Sequence, residues 1–177
     1  MTKNQKSLRI TIILALMVAI SILMGKYLAI RGGDVMRFSL ENTPIILSGI
    51  AFGPAAGMLV GIIADLVGCI MVGYTINPLV TLGAAAIGFI CGFMPRLLTK
   101  TGMNVRLQLA ITVAIAHLIG SVVIKTIGLS AYYDMPFIIL LLWRVLNYLI
   151  VGALDGVVVH ILLNHKAIDR QIKELTK

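Results

Sequence analysis

Long apolar runs separated by short polar segments make up most of this chain. A membrane-spanning helix needs roughly 20 mainly apolar residues, and six runs approach or exceed that length. The second run is short for a crossing, so it is expected either to extend from the loop before it or to leave a polar funnel above it. We predict an all-α integral membrane protein, a six-transmembrane-helix bundle forming a single domain over residues 1–177, with helices at 9–30, 39–53, 55–73, 78–98, 105–129 and 136–164.

Composition supports the bilayer as the main solvent. Hydrophobic residues make up 59% of the 177 positions and charged residues only 12%, whereas a soluble domain carries about 25% charged residues. Mean hydropathy is +1.02. The basic start, residues 1–9, precedes an apolar run without a clear small-residue cleavage site, which favours a retained first helix over a signal peptide.

The positive charges predict the orientation of the bundle. Short cytoplasmic loops keep Lys and Arg, and ten cations fall on one side of the predicted helices against three, Lys26, Arg31 and Arg37, on the other. We therefore predict that both termini lie in the cytoplasm. Most of the net charge of +8 is then explained by topology, and no nucleic-acid partner is expected. The ten are Lys3, Lys6, Arg9, Arg96, Lys100, Arg106, Lys166, Arg170, Lys173 and Lys177.

Two cations do not fit that explanation, because Lys125 and Arg144 fall inside apolar runs. On the last predicted helix, Arg144 shares a face with Asn147, Tyr148 and Asp155, at helical spacings. Arg144 lies roughly 10 Å below the outer helix end at 1.5 Å per residue. Embedded charges usually face a cavity or a partner, so these side chains predict an outward-facing ligand pocket.

A purely structural alternative stays open at Arg144. Asp65 on the third predicted helix has a similar depth, and the two side chains could simply neutralise each other. Asn77, which precedes a proline, is a natural helix cap. Glu41 suits either a helix start or a ligand. His117 is favoured as a hydrogen-bonded packing residue rather than a metal ligand, since no second ligand lies at metal spacing.

The usual catalytic motifs are missing: no Walker lysine loop, HExxH, GxSxG or paired carboxylates occur. Cys69 and Cys91 lack metal or disulfide spacing and are interpreted as small buried residues. We expect no catalytic residue, no metal and no cofactor, so active transport would need partner subunits. Ala15 and Ala19 place small residues on one face of the first helix, where helices can approach closely.

Four stretches make the chain resemble a known family, the S components that capture vitamins for energy-coupling factor (ECF) transporters. They are most similar to the folate-specific members, although FGP…G…G…D runs also occur in members for other substrates. The stretches are RFSLENTP at 37–44, FGPAAG at 52–57, ADLVG at 64–68 and GYTINPL at 73–79.

The resemblance implies a subunit of the bacterial plasma membrane that binds folate or reduced folates from outside. It also implies a transmembrane coupling subunit, facing Ala15 and Ala19, and two cytoplasmic ATPase subunits. From their placement, the expected pocket residues are Arg144, Asn147, Tyr148 and Lys125, with Tyr74, Asn77, Arg31 and Arg37 at the mouth. Alternatives are another vitamin (riboflavin, pantothenate or a queuosine precursor) or, in another class, a small membrane-embedded enzyme or a scaffold subunit.

Overall fold

The structure, a computed structural model, describes residues 3–32, 36–134 and 136–176. It is helical apart from one short hairpin. Two helices contain π-helical stretches: Leu23–Tyr27 continues α1, and His117–Ile124 joins α5 to α6 in a single rod. The elements are α1 (Lys3–Ile22), β1 (Ile30–Gly32), β2 (Met36–Phe38), α2 (Asn42–Phe52), α3 (Pro54–Val72), α4 (Pro78–Leu98), α5 (Val105–Ala116), α6 (Lys125–Tyr133), α7 (Phe137–Asn164) and α8 (Lys166–Thr176).

Five helical segments of the described chain are long and apolar enough to cross a membrane: Asn4–Tyr27, Pro54–Val72, Pro78–Thr101, Val105–Tyr132 and Phe137–Asn164. The remaining apolar helix, α2, has 11 residues. It is therefore about 16 Å long at 1.5 Å per residue, roughly half of a 30 Å hydrocarbon core. Five long helices agree with the predicted helical membrane protein, while six full crossings stay a prediction.

The segment before α2 is an antiparallel hairpin rather than helix. Ile30 pairs with Phe38, and Gly32 pairs with Met36. The helical run that starts at α1 ends at Tyr27, three residues before the predicted boundary. α2 begins at Asn42 and does not extend into this segment. Of the two arrangements expected for a short second helix, the structure has the one that leaves space above the helix. We call this side of the bundle the hairpin end, and the side where α1 begins and α7 ends the tail end.

The interior combines an apolar core around Ile46 and Ile87 with several buried polar side chains. Asp155, Thr112 and Ser121 are each 0% exposed. Leu142, Leu146 and Leu149 on α7 stay exposed, as expected for a surface that meets lipid rather than water. Cys69 and Cys91 are free and buried, as their spacing predicted.

Glycines let α2, α3 and α4 approach backbone to backbone. A Cβ added at Gly57 would clash with the carbonyl oxygen of Gly88, and a Cβ added at Gly88 would clash with the carbonyl oxygen of Gly57. A Cβ added at Gly49 would lie 2.5 Å from the Gly88 carbonyl oxygen. Gly53 links α2 to α3 with φ at +99°, a conformation that favours glycine. These small-residue contacts are typical of helix packing in membranes, and they make this side of the bundle its tightest.

We predict that Gly88→Ala lowers the free energy of unfolding by about 1–3 kcal/mol, because an added methyl forces two packed backbones apart. Gly156→Ala on α7 is the matched control, since nothing lies within 4 Å of a Cβ there. Thermal unfolding of both variants in one detergent tests this. Equal melting temperatures for the two variants would contradict the packing argument.

Candidate functional site

A polar cavity of about 180 Å³ opens at the hairpin end, above the start of α2. Its floor includes Ser39 and Glu41, which directly precede α2. The short helix thus leaves space that a full-length helix would fill. The cavity is lined by Lys26, Ser39, Glu41, Asp65, Cys69, Tyr74, Thr75, Asn77, Val80, Lys125, Leu129, Arg144, Asn147 and Tyr148.

Helix α7 supplies the wall with Arg144, Asn147 and Tyr148. The guanidinium of Arg144 lies over the ring of Tyr148, 5.3 Å from its centroid, a favourable cation–π distance. Arg144 Nε also donates to the carbonyl oxygen of Ser121 at 3.0 Å. No ion pair within the described residues joins Arg144 to Asp65. The structure therefore does not support neutralisation by Asp65 as the role of Arg144.

Lys125 faces the floor of the cavity and is 4% exposed. Its Nζ lies 3.5 Å from Glu41 Oε1. Gly25 makes room for that carboxylate, since a Cβ there would lie 2.5 Å from Glu41 Oε2. The backbone carbonyl of Glu41 accepts a hydrogen bond from Ser21 Oγ at 2.7 Å. Glu41 thus joins the first helical segment, the start of α2 and α6.

On the opposite wall, Asp65 and Lys26 have separate partners. Asp65 Oδ2 accepts a hydrogen bond from Thr81 Oγ1 at 2.6 Å. Lys26 Nζ lies 3.6 Å from Cys69 Sγ and 5.7 Å from the centroid of the Tyr74 ring. Lys26 is therefore held by a thiol and an aromatic face rather than by a carboxylate.

Asn77 acts as the cap that its position before Pro78 predicted. Its Oδ1 accepts from the backbone N–H groups of Leu79 and Val80, at 3.1 and 3.4 Å. Its Nδ2 donates to the carbonyl of Gly128 at 2.8 Å, which ties the start of α4 to α6. The side chain is 4% exposed, so most of its hydrogen-bonding capacity is already used.

The structure brings six of the eight predicted site residues to this one cavity: Arg144, Asn147, Tyr148, Lys125, Tyr74 and Asn77. Arg31 and Arg37 pair across the hairpin by their backbones, and their side chains lie outside the described part of the structure. Ala15 and Ala19 lie away from the cavity, on an exposed face of α1.

Five charged or hydroxyl-bearing lining residues were not predicted as site residues: Lys26, Ser39, Glu41, Asp65 and Thr75. Lys26 carries the same signal as Lys125, a cation inside an apolar run. It was counted among the cations of the outer side because it lies near the outer end of the first predicted helix, 9–30. Ser39 has no comparable signal in the sequence.

A second polar cluster lies deeper in the bundle, below the cavity. Asp155 accepts hydrogen bonds from Thr43 Oγ1 and, at 3.0 Å, from His117 Nε2. His117 Nδ1 lies 3.2 Å from Ser121 Oγ, and its ring stacks on Tyr148 with centroids 5.2 Å apart. His117 thus has the hydrogen-bonded packing role that the sequence favoured, and the cluster touches the cavity wall through Tyr148.

Comparisons with known proteins agree with one another on the fold. A family model described as ECF-type riboflavin transporter, S component, matches residues 5–170. No curated protein matches the sequence.

Among solved structures, the crystal structure of FolT bound with folic acid is similar with a TM-score of 0.65 at 16% identity, over 82% of this chain and 85% of that one. The S component for biotin from an ECF-type ABC transporter gives 0.65 at 20% identity, over 90% and 92%. The S component of a bacterial ECF transporter gives 0.62 at 16% identity, over 92% and 98%. At such identities these likenesses show a shared fold.

We predict that Asp155→Ala lowers the free energy of unfolding by about 3 kcal/mol or more, because His117 and Thr43 lose their buried acceptor. The control is Glu174→Ala, which removes an exposed ion pair with Arg170 and should cost less than about 1 kcal/mol. A double-mutant cycle of His117→Ala and Asp155→Ala, read by thermal unfolding, measures the coupling directly. Additive losses would show that the two side chains do not stabilise each other.

Proposed function

Because this chain belongs to the family of ECF-type riboflavin transporter S components, and so is a substrate-binding transporter subunit rather than an enzyme, we propose that it captures folate or a reduced folate. The cavity at the hairpin end is the proposed binding site. The proposed site residues are Arg144, Asn147, Tyr148, Lys125, Tyr74, Asn77, Arg31 and Arg37, to which Lys26 is now added.

One observation carries this proposal: three cations line the cavity against two carboxylates, Glu41 and Asp65. Lys125 forms a salt bridge with Glu41. Within the described residues, Lys26 and Arg144 form no salt bridge and contact a thiol, a backbone carbonyl and aromatic rings instead. The excess of one positive charge favours an anionic ligand, and a guanidinium suits a carboxylate because both oxygens can be bound.

Folate matches this chemistry at both ends. Its glutamate tail offers two carboxylates, which can meet the cations that form no salt bridge, Lys26 and Arg144, and offset the excess positive charge of the lining. Its flat pterin offers a stacking face and hydrogen-bonding edges, for which Tyr148, Tyr74 and Asn147 are suited. The fold shared with FolT bound with folic acid is consistent with this ligand.

Riboflavin is the second candidate, because the matching family is described by that substrate. Riboflavin carries no carboxylate, so it would leave the excess positive charge of the cavity lining uncompensated. The arrangement of charges therefore favours folate, while the family description favours riboflavin.

We further propose that both chain termini lie in the cytoplasm of a bacterium. In this topology the chain crosses the membrane six times, and α2 together with the segment before it forms the second crossing. The cavity then opens outward. Transport by this subunit would use a transmembrane coupling subunit and two cytoplasmic ATPases, with Ala15 and Ala19 at the contact between α1 and the coupling subunit. Both alanines are exposed on α1 beside apolar neighbours, and small residues allow close helix contact.

Isothermal titration of the purified protein with folate, riboflavin and biotin tests the substrate. We expect submicromolar binding of folate alone. Arg144→Met and Lys26→Met should each weaken folate binding by roughly 10- to 100-fold, because each removes a hydrogen bond to a charged group. Arg170→Gln, a change at an exposed cation of α8, is the control and should leave the affinity unchanged.

Two outcomes would overturn the substrate assignment. Tight riboflavin binding without folate binding would establish the second candidate. Failure of all three vitamins to bind, in a protein that still melts cooperatively, would exclude both.

Ala15→Leu together with Ala19→Leu should prevent copurification with the coupling subunit, because two larger side chains keep the helices apart. Vitamin affinity should stay unchanged, since neither alanine lines the cavity. Ala55→Leu, at an exposed alanine of α3, is the matched control. If both variants copurify equally well, the α1 face is not the contact surface.

A further inference from the structure

A second space of about 590 Å³ lies between α5 and α7, on the side of the bundle away from the glycine contacts. Its walls are apolar except for Arg106 and His160 at one end and His117 and Tyr148 nearer the other. Small side chains make it deep, and nothing lies within 4 Å of a Cβ placed at Gly156. Its floor includes Ala110, Ala114, Gly152, Ala153 and Gly156. We call this space the α5–α7 groove.

The groove runs lengthwise along the bundle. It follows α5 and the π-helical stretch after it from Arg106 to Val122. This distance is about 24 Å at 1.5 Å per residue. Toward the hairpin end it passes His117 and Tyr148, which stack on each other, and Val122 and Val145 line it beyond them. One leaflet of hydrocarbon is roughly 15 Å thick, half of the bilayer core. The groove is therefore long enough to hold one acyl chain of the leaflet at the tail end.

The tail-end mouth of the groove is cationic. Arg106 is exposed, and no described side chain or carbonyl accepts a hydrogen bond from its guanidinium. His160 lines the same end. The rod Val105–Tyr132 has 28 residues, or about 42 Å, which matches a bilayer of 40–45 Å including headgroups. Arg106, the second residue of that rod, therefore lies at headgroup level.

We propose that the α5–α7 groove binds an anionic diacyl phospholipid, with an acyl chain along the small residues and the phosphate at Arg106 and His160. An apolar body with one cationic end complements a lipid, and basic pockets between helices on the cytoplasmic side are known to bind anionic headgroups. A lipid also places its phosphate at headgroup level, where Arg106 lies. This site is separate from the vitamin cavity and does not depend on which vitamin binds there.

The test is native mass spectrometry of the full chain after delipidation, with dioleoyl-phosphatidylglycerol or dioleoyl-phosphatidylcholine added back. The wild-type protein should retain phosphatidylglycerol about fivefold better than phosphatidylcholine. Arg106→Gln should abolish that preference. Gly156→Leu or Ala153→Leu should lower the retention of both lipids by filling the groove. Lys6→Gln, a cation on α1 away from the groove, should behave as wild type.

Three results would overturn the proposal. Equal retention of the two lipids by the wild-type protein would show that no anionic site exists. An unchanged preference in Arg106→Gln would place the headgroup elsewhere. Undiminished retention by both groove-filling variants would show that the acyl chain lies outside the groove. Thermal unfolding of the same samples shows that each variant is folded, and vitamin titration reports on the proposed function separately.

Discussion

The fully buried carboxylate of Asp155 holds the interior of this bundle together. It accepts hydrogen bonds from Thr43 at the start of α2 and from His117 in the rod formed by α5 and α6. Between helices surrounded by lipid, apolar burial gives little driving force, so polar links and close backbone contacts matter more. Asp155 thereby fixes the upper end of a helix that is too short to cross the bilayer, and the polar cavity lies directly above that fixed end.

The glycine contacts and the α5–α7 groove occupy opposite sides of the bundle for a physical reason. Where α2, α3 and α4 meet, each glycine faces the backbone of a neighbouring helix, and the space between helices is closed. On α7, Gly156 faces nothing within 4 Å, and Gly152 meets only the ring of His117, at 3.3 Å. The same residue type therefore closes one side of the bundle and opens a groove on the other, depending on whether a second backbone lies opposite.

Sequence patterns predicted the helices and most of the cavity because both depend on local spacing. Arg144, Asn147 and Tyr148 share a helical face, and a charged residue in an apolar run nearly always points inward. The pairing of residues 30–32 with residues 36–38 was not predicted. Two three-residue strands are too short to show an alternation of apolar and polar residues. The partners of Glu41 and Asp155 were missed because they join segments far apart in the chain. Spacing along one helix cannot show which residue faces it across the bundle.

Tyr148 lies on the boundary between the two spaces and lines both of them. Binding clefts for drug-sized ligands occupy roughly 300–1,000 Å³, and the polar cavity, at about 180 Å³, is smaller. A ligand of vitamin size therefore requires side chains of the cavity lining to move. Tyr148 is held by two ring contacts, with Arg144 on the side of the cavity and with His117 on the side of the groove. These contacts make Tyr148 the wall that keeps the polar cavity and the α5–α7 groove apart, so that each space can be tested by its own ligand.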